Sequence, residues 1–434
     1  MVPSFLKEID IENWLIKPLK YLISQKYIVG HLDGNHGSLY PRSNEFIDSG
    51  VKYISANALI NGRVDFEKSK YLSAERASKF KKGVAKSGDV LFAHNATVGP
   101  VAILDIEEDY VILGTSLTYY RCNLEKVNNH YLMHFMSSPS FIRQYERIMK
   151  QTTRSQIPIT AQRDFYFVLP PLPEQQKIAK ILTTWDKAIN ATERLIANSK
   201  QQKKALMQQL LTGKKRLLDD NGKPFEGEWD EFQLSDLALS GKNNFTDGDW
   251  VESVHIKESG CRLIQTGNIG VGYFKNKNKK YISQDSFDEL KCTEVHVGDL
   301  LICRLAEPAG RACIVPDIGE SKMLTSVDVI IMRTDTTKAL AKYLSYYFSL
   351  NHTLHRVSAL CGGSTRSRVS RSVLGKMKLS LPNVQEQQKI ATVLNNADKE
   401  IELLEQQLAD LQQEKKALMQ VLLTGKKRVV VDGC

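Results

Sequence analysis

The sequence predicts an α+β fold: two α/β globes separated by two long helices that pair antiparallel as a coiled coil, a tandem repeat with a pseudo-twofold axis. The first observation behind this is a stretch that occurs twice. EQQKIAKIL, KKALMQ and LLTGKKR lie between Glu174 and Arg216. EQQKIATVL, KKALMQ and LLTGKKR lie between Glu386 and Arg428, at a constant offset of 212 and without a gap. The second is an apolar seam along both copies with the four-and-three spacing of a coiled coil. The third is a frame of short motifs that recurs, at an offset of 210, outside the helices.

In chain order, residues 1–169 read as a first globe, 170–216 as a central helix, 217–382 as a second globe and 383–434 as a second helix. In the first globe YISANALINGRVDF, GDVLFAHNATVGPVAIL and YVILGTSLTYY are short β-rich runs punctuated by turn residues, and the pattern turns helical from Asn129 to Met149. The second globe repeats the plan. Lys70-Tyr71-Leu72-Ser73 returns as Lys280-Tyr281-Ile282-Ser283, Ser87-Gly88-Asp89-Val90-Leu91 as Val297-Gly298-Asp299-Leu300-Leu301, and Thr115-Ser116-Leu117 as Thr325-Ser326-Val327. Trp14 and Trp229 mark the two openings, and Leu169-Pro170 and Leu381-Pro382 the two exits.

Each repeated stretch reads as one helix. Neither Pro nor Gly occurs between Glu174 and Thr212, and Gln, Lys, Ala, Leu and Glu dominate. Pro173 precedes the helix and Gly213 follows it, with Lys214, Lys215 and Arg216 beyond. The seam of the first copy is Ile178, Leu182, Trp185, Ile189, Ile196, Leu206 and Leu210. That of the second is Ile390, Leu394, Ala397, Ile401, Leu404, Leu408, Leu411, Leu418 and Leu422. Lys203 and Lys415 interrupt the two seams at the same place, a device that fixes register. Each helix should be roughly 58 Å long at about 1.5 Å per residue. An antiparallel pair brings the end of the first helix close to the start of the second, so the second globe need not bridge that length, and the globes are expected at opposite ends.

The formal net charge of +10 and pI of about 9.0 favour an anionic partner, nucleic acid above all. An apolar content of 42 % suffices for a core in each globe. The seven cysteines include no CxxC, which suits reduced thiols and supplies no metal framework. No signal-like opening and no apolar run of membrane-spanning length is present, so a cytoplasmic protein is expected.

Catalytic chemistry is largely missing. Gly267-Asn268-Ile269-Gly270-Val271-Gly272 is followed by Tyr273-Phe274-Lys275 and not by a helix, so it reads as a hairpin loop rather than a phosphate cradle. Pro316-Asp317 with Glu320-Ser321-Lys322 imitates a nuclease motif, but its carboxylates are too close in sequence. No P-loop occurs. His130 and His134, like His352 and His355, read as helix faces without a further ligand at zinc spacing. No catalytic or metal-ligating residue is therefore expected.

Features suited to DNA are present. Lys275 and Lys277 stand in a run that interleaves cations with Phe274 and Tyr281. Thr365, Arg366, Arg368 and Arg371 cluster in GGSTRSRVSR, and Thr153 and Arg154 stand in the matching TTRSQ. Such residues contact phosphates, and Arg also reads guanine with two hydrogen bonds. His94 and Asn95 are expected on a loop after Asp89-Val90-Leu91, and Arg304 on the matching loop after Asp299-Leu300-Leu301; these loops differ between the copies, as sequence-reading loops should.

The plan globe–helix–globe–helix, with LPPLPEQQKIA before the first helix, LPNVQEQQKIA before the second and LLTGKKR after each, resembles the specificity subunit of type I restriction–modification systems. The Gly222–Trp229 link belongs to the same pattern. The resemblance covers essentially the whole chain. It implies that each globe is a target recognition domain reading one half of a bipartite double-stranded DNA site, and that the helices set the gap. It also implies partners: two modification subunits that use S-adenosylmethionine to methylate adenine, and two restriction subunits that use ATP and Mg. No cofactor is then expected on this chain. Asn383-Val384-Gln385 departs from Pro171-Leu172-Pro173 and predicts a different helix cap. The alternative reading is a non-catalytic coiled-coil scaffold whose globes bind proteins; a weaker third is a single-chain restriction enzyme without its catalytic parts.

Overall fold

In a computed structural model of the chain, the structure describes residues 12–34, 40–150, 155–305, 307–362 and 367–431. Both long helices form, as Leu172–Leu210 and Val384–Leu422, 39 residues each. The first starts two residues before the expected Glu174, because Pro173 fits the first turn, where an amide hydrogen has no helical acceptor. The second is capped differently, as its sequence predicts: Asn383 Oδ1 accepts from the Glu386 amide at 2.9 Å. Gly213 and Gly425 close the two helices at φ of +70° and +69°, the left-handed turn that favours glycine.

The chain divides into two compact units, Met1–Leu195 with Leu404–Cys434 and Ile196–Leu403. The four segments read from the sequence thus regroup, and each unit holds one globe with part of both long helices.

In the first unit a six-stranded sheet has the order Ile28–Asp33, Leu117–Cys122, Val90–Asn95, Thr97–Ile103, Gly62–Val64, Leu59–Ile60. A five-stranded sheet has the order Phe46–Ile47, Lys70–Leu72, Val51–Ile54, Val111–Leu113, Val84–Ala85. The expected helical stretch is two helices, Asn129–Met136 and Pro139–Met149, broken by Ser138, whose side chain caps the second. Their aromatics, Phe135 and Phe141, join Phe92, Phe165 and Phe167 in the core, and Phe141 lies within 5.3–6.2 Å of five other rings. Ile178, Leu182 and Leu422 belong to the same core, so the globe packs on both helices. Leu15–Pro18 pairs antiparallel with Tyr166–Leu169, which returns the chain to its entry point just before the first long helix.

The second unit repeats the plan with shorter strands. One sheet has the order Phe245–Asp247, Val329–Met332, Leu300–Cys303, Ala312–Ile314, and the other Ile256–Lys257, Lys280–Ile282, Cys261–Ile264, Met323–Thr325. Asp230–Gln233 pairs with Lys378–Leu381. The core joins Tyr343, Leu344 and Phe348 to Leu210, Ile390 and Leu394, with Leu206 packed against it. The glycine-rich segment is a turn closed by the Gly270 amide on the Tyr273 carbonyl, with Ile269 bridged to Phe274.

The repeated motifs explain themselves in these contacts. Glu174 accepts from Arg428 Nε and Nη2 at 2.7 and 2.8 Å and from Trp14 Nε1 at 3.1 Å. Glu386 accepts from Arg216 Nε and Nη2, both at 2.7 Å. The next residue ties helix to globe: Gln175 accepts from the Asn128 amide and donates to Pro170, and Gln387 accepts from the Leu340 amide and donates to Pro382. Asp89 caps its turn through the Lys86 amide and holds Arg121, while Asp299 takes the His296 amide and Arg333.

Within each unit the helix segments run antiparallel. In the first, Glu174 meets Arg428 and Asp186 meets Lys415; in the second, Arg216 meets Glu386 and Lys203 meets Asp398. Both interrupting lysines thus find carboxylates, in agreement with a register role. Along the seams Ile178, Leu182, Ile189, Leu210, Ile390, Leu394, Ile401 and Leu422 are buried, and Trp185, Leu206, Leu404, Leu408 and Leu418 are partly buried. Leu195 and Leu403, off the seam, are exposed. Among the described residues no helix is long and apolar enough to cross a membrane.

Candidate nucleic-acid interface

In each unit one sheet ends in a rim where four segments meet, and the two rims share the same backbone hydrogen-bond frame. In the first unit the Ile157 amide donates to the His94 carbonyl at 2.8 Å, and Asn95 is bridged to Gln156. In the second the Val369 amide donates to the Arg304 carbonyl at 3.1 Å, and Leu305 is bridged to Arg368. The His94 amide donates to Ser116 at 2.9 Å and that of Arg304 to Asp328 at 2.8 Å. A further segment closes each rim: the Gly34 amide donates to Leu117 and that of Gly248 to Val329. A Cβ on Gly34 would lie 2.0 Å from the Gly114 carbonyl oxygen, and one on Gly248 2.4 Å from that of Thr325, so both segments need glycine for this approach.

This frame carries different chemistry in the two units. Below the rim of the first lies a buried polar network. Tyr120 OH donates to Gln162 Oε1 at 2.8 Å, and Gln162 Nε2 donates to Thr118 Oγ1 at 3.1 Å. Thr118 Oγ1 is 2.9 Å from His94 Nδ1, and His31 Nε2 is 3.3 Å from Gln162 Oε1. Since Gln162 Oε1 can only accept, His31 carries its proton on Nε2. The strand pairings set Phe245 and Met332 of the second unit opposite each other, as His31 and Tyr120 are in the first. There the network is replaced by apolar side chains.

At the rim itself the second unit is ionic. Arg304 Nε forms a close ion pair with Asp247 at 3.0 Å, and its Nη2 donates to the Val327 carbonyl at 2.6 Å. Arg368 Nε is 2.8 Å from Asp328 Oδ1. Arg371 donates from Nη1 to the Phe245 carbonyl at 3.1 Å and lies 3.7 Å from Asp247. Trp250, on the segment after Gly248, is 71 % exposed.

The sequence candidates fare unequally in this geometry. Arg304 and Arg368 are brought together with Arg371, which their separate positions in sequence did not foretell; Arg304 is buried and Arg368 is half exposed. His94 and Asn95 are corrected: they end the strand Val90–Asn95 and are not a loop. His94 is buried because its side chain points under the rim to Thr118. Thr153, Arg154, Thr365 and Arg366 lie outside the described residues. Lys277 is exposed and Lys275 lies over the Tyr273 ring at 5.5 Å; both stand on a separate segment tied to Arg262 and Asn268. Sequence reasoning missed Gln156, Ser116, Asp247, Asp328 and Trp250. The alignment of TTRSQ with STRSR would have singled out Gln156 against Arg368.

The polar network has a consequence in pH. Burial lowers the pKa of His31 to about 4, and it pushes His134, beneath the helices beside Asp186, well below the usual value. Unfolded histidine takes up its proton near pH 6.5. The stabilisation is therefore fully present above about 6.5 and is lost as pH falls through the folded values. His31 alone should account for about 3 kcal/mol across that window. Urea unfolding between pH 7.5 and 4.5 checks this: the fall in stability should be clearly shallower in His31→Gln, and equal slopes would contradict it.

Residues 29–199 and 226–413 match the family described as type I restriction modification DNA specificity domain. The chain is 25 % identical over 388 residues to a protein of Methanocaldococcus jannaschii named as the type I restriction enzyme MjaX specificity subunit, covering 85 % of each chain. It is 23 % identical over 434 residues to the type I restriction enzyme MjaVIII specificity subunit of the same organism, covering 94 % of this chain and 98 % of that one. A crystal structure of the S subunit of a type I restriction–modification system from M. genitalium shares the fold, with a TM-score of 0.57 at 13 % identity over 95 % of this chain and 96 % of the other.

Proposed function

The chain belongs to the type I restriction modification DNA specificity family, and from that premise we propose that each unit reads one half of a bipartite DNA site through the rim of its sheet. The observation that carries this is the shared backbone frame with divergent chemistry. A frame made twice, with a buried His94–Thr118–Gln162 network under one rim and arginine–carboxylate pairs at the other, suits two readers that approach DNA alike and recognise different bases. The chain acts as a sequence-specificity subunit. Its partners are DNA and the other subunits of such a system. In this reading two modification subunits dock on the long helices and bring S-adenosylmethionine, while two restriction subunits bring ATP and Mg. The chain itself contributes recognition and no bond-making group.

The helices supply the remaining element, the fixed gap between half-sites. Seven residues inserted between Leu195 and Ile196 and seven between Leu403 and Leu404, where the units divide, preserve the heptad seam. They lengthen each helix by roughly 10.5 Å at about 1.5 Å per residue. With the modification subunit present, the methylated motif should keep both half-sites and gain about three base pairs of gap at about 3.4 Å each. An unchanged gap would show that the helices do not set it.

A further inference from the structure

We infer that one backbone position in each unit reads a base: Arg368 a guanine in the half-site of the second unit, and Gln156 an adenine in the half-site of the first. The inference rests on the reading of the chain as a DNA specificity subunit and names residues within it. The two positions are equivalent by contact as well as by sequence. Each is bridged to the residue that follows His94 or Arg304, and the next amide in each donates to the His94 or Arg304 carbonyl.

Of the three arginines at the second rim, Arg368 is the one whose two Nη groups both lack a partner among the described residues. Arg304 is 5 % exposed and spends Nη2 on Val327; Arg371 spends Nη1 on Phe245. The Arg368 side chain is 44 % exposed, and its Nε is held by Asp328. A guanidinium ion-paired through Nε leaves its two Nη groups as a pair of donors, which fits the O6 and N7 acceptors of guanine. A phosphate contact needs charge but no carboxylate behind it. Asp328 is therefore a positioning residue.

In the first unit both members of the pair change together. Ser116 takes the place of Asp328, and not of Ser326 as the motif alignment at offset 210 expects, since the His94 and Arg304 amides donate to these two carbonyls. Gln156, partly buried, takes the place of Arg368. Loss of the carboxylate and loss of the cation accompany each other. A primary amide sets an NH2 donor group beside a carbonyl acceptor, the pattern that matches N7 and N6 of adenine.

The test reads the modified motif, and the binding of the full chain in complex with its modification subunits to duplexes varied at each base. Arg368→Gln should relax discrimination for one guanine in one half-site by roughly tenfold to a hundredfold, with the other half-site unchanged as an internal measure of folding. Arg368→Lys keeps the charge and should lose the same discrimination. Asp328→Asn should weaken it at that base while leaving non-specific affinity and its salt slope alone. Gln156→Arg combined with Ser116→Asp should turn an adenine of the other half-site into a guanine. An unmoved motif in Arg368→Gln would overturn the inference. So would a uniform loss of affinity restored by Arg368→Lys, which marks a phosphate contact. A wild-type complex without any sequence preference would overturn the specificity reading itself, and the inference with it.

Discussion

Replacing Glu386 with alanine should destabilise the second unit by about 3 kcal/mol, the effect of removing one partner of a buried ion pair. Glu386 is fully buried and takes two hydrogen bonds from Arg216, whose side chain is only 23 % exposed and whose Nη1 is fixed to the Gly227 carbonyl. The arginine left behind has little water to turn to. The matching Glu174→Ala in the first unit should cost less, about 1–2 kcal/mol. Arg428 is half exposed there and relaxes into solvent, so the larger part of the loss is the acceptor of Trp14 Nε1. Urea unfolding of both variants, followed by hydrogen exchange at the helix starts, measures the difference. Equal losses, or a larger one for Glu174→Ala, would contradict the ranking by burial.

The helices were legible because their information is local and doubled. A proline-free and glycine-free run, a four-and-three seam and a repeated terminal glycine each report on a few neighbouring residues, and the gapless duplication ties them together. Even Lys203 and Lys415, odd in an apolar seam, were readable as register devices, although only the fold supplies Asp398 and Asp186 as their partners. The site was legible only in part. Arg304 and Arg368 stand out as cations, yet a charge in sequence carries no sign of whether it is clamped, buried or open. His94 follows an apolar run and resembles a loop residue; its burial depends on Thr118 and Gln162, far away in the chain. Gln156 is inconspicuous alone and becomes informative only when its bridge to Asn95 is set beside that of Arg368 to Leu305.

Exchange of the second globe should have the largest functional effect. The antiparallel pair Asp230–Gln233 and Lys378–Leu381 brings its two ends side by side, so a graft between them closes on the same scaffold. Replacing residues 230–381 by the corresponding segment of another family member leaves the first rim, the Glu386–Arg216 contact and both helices intact. The old site should lose its preference over random DNA, a factor on the order of a thousand or more. The most direct measurement is the methylated motif made by the exchanged chain with its own modification subunit. The account predicts one half-site replaced by that of the donor, with the other half-site and the gap retained. A motif changed in both halves, or in neither, would contradict the claim that each unit reads its own half.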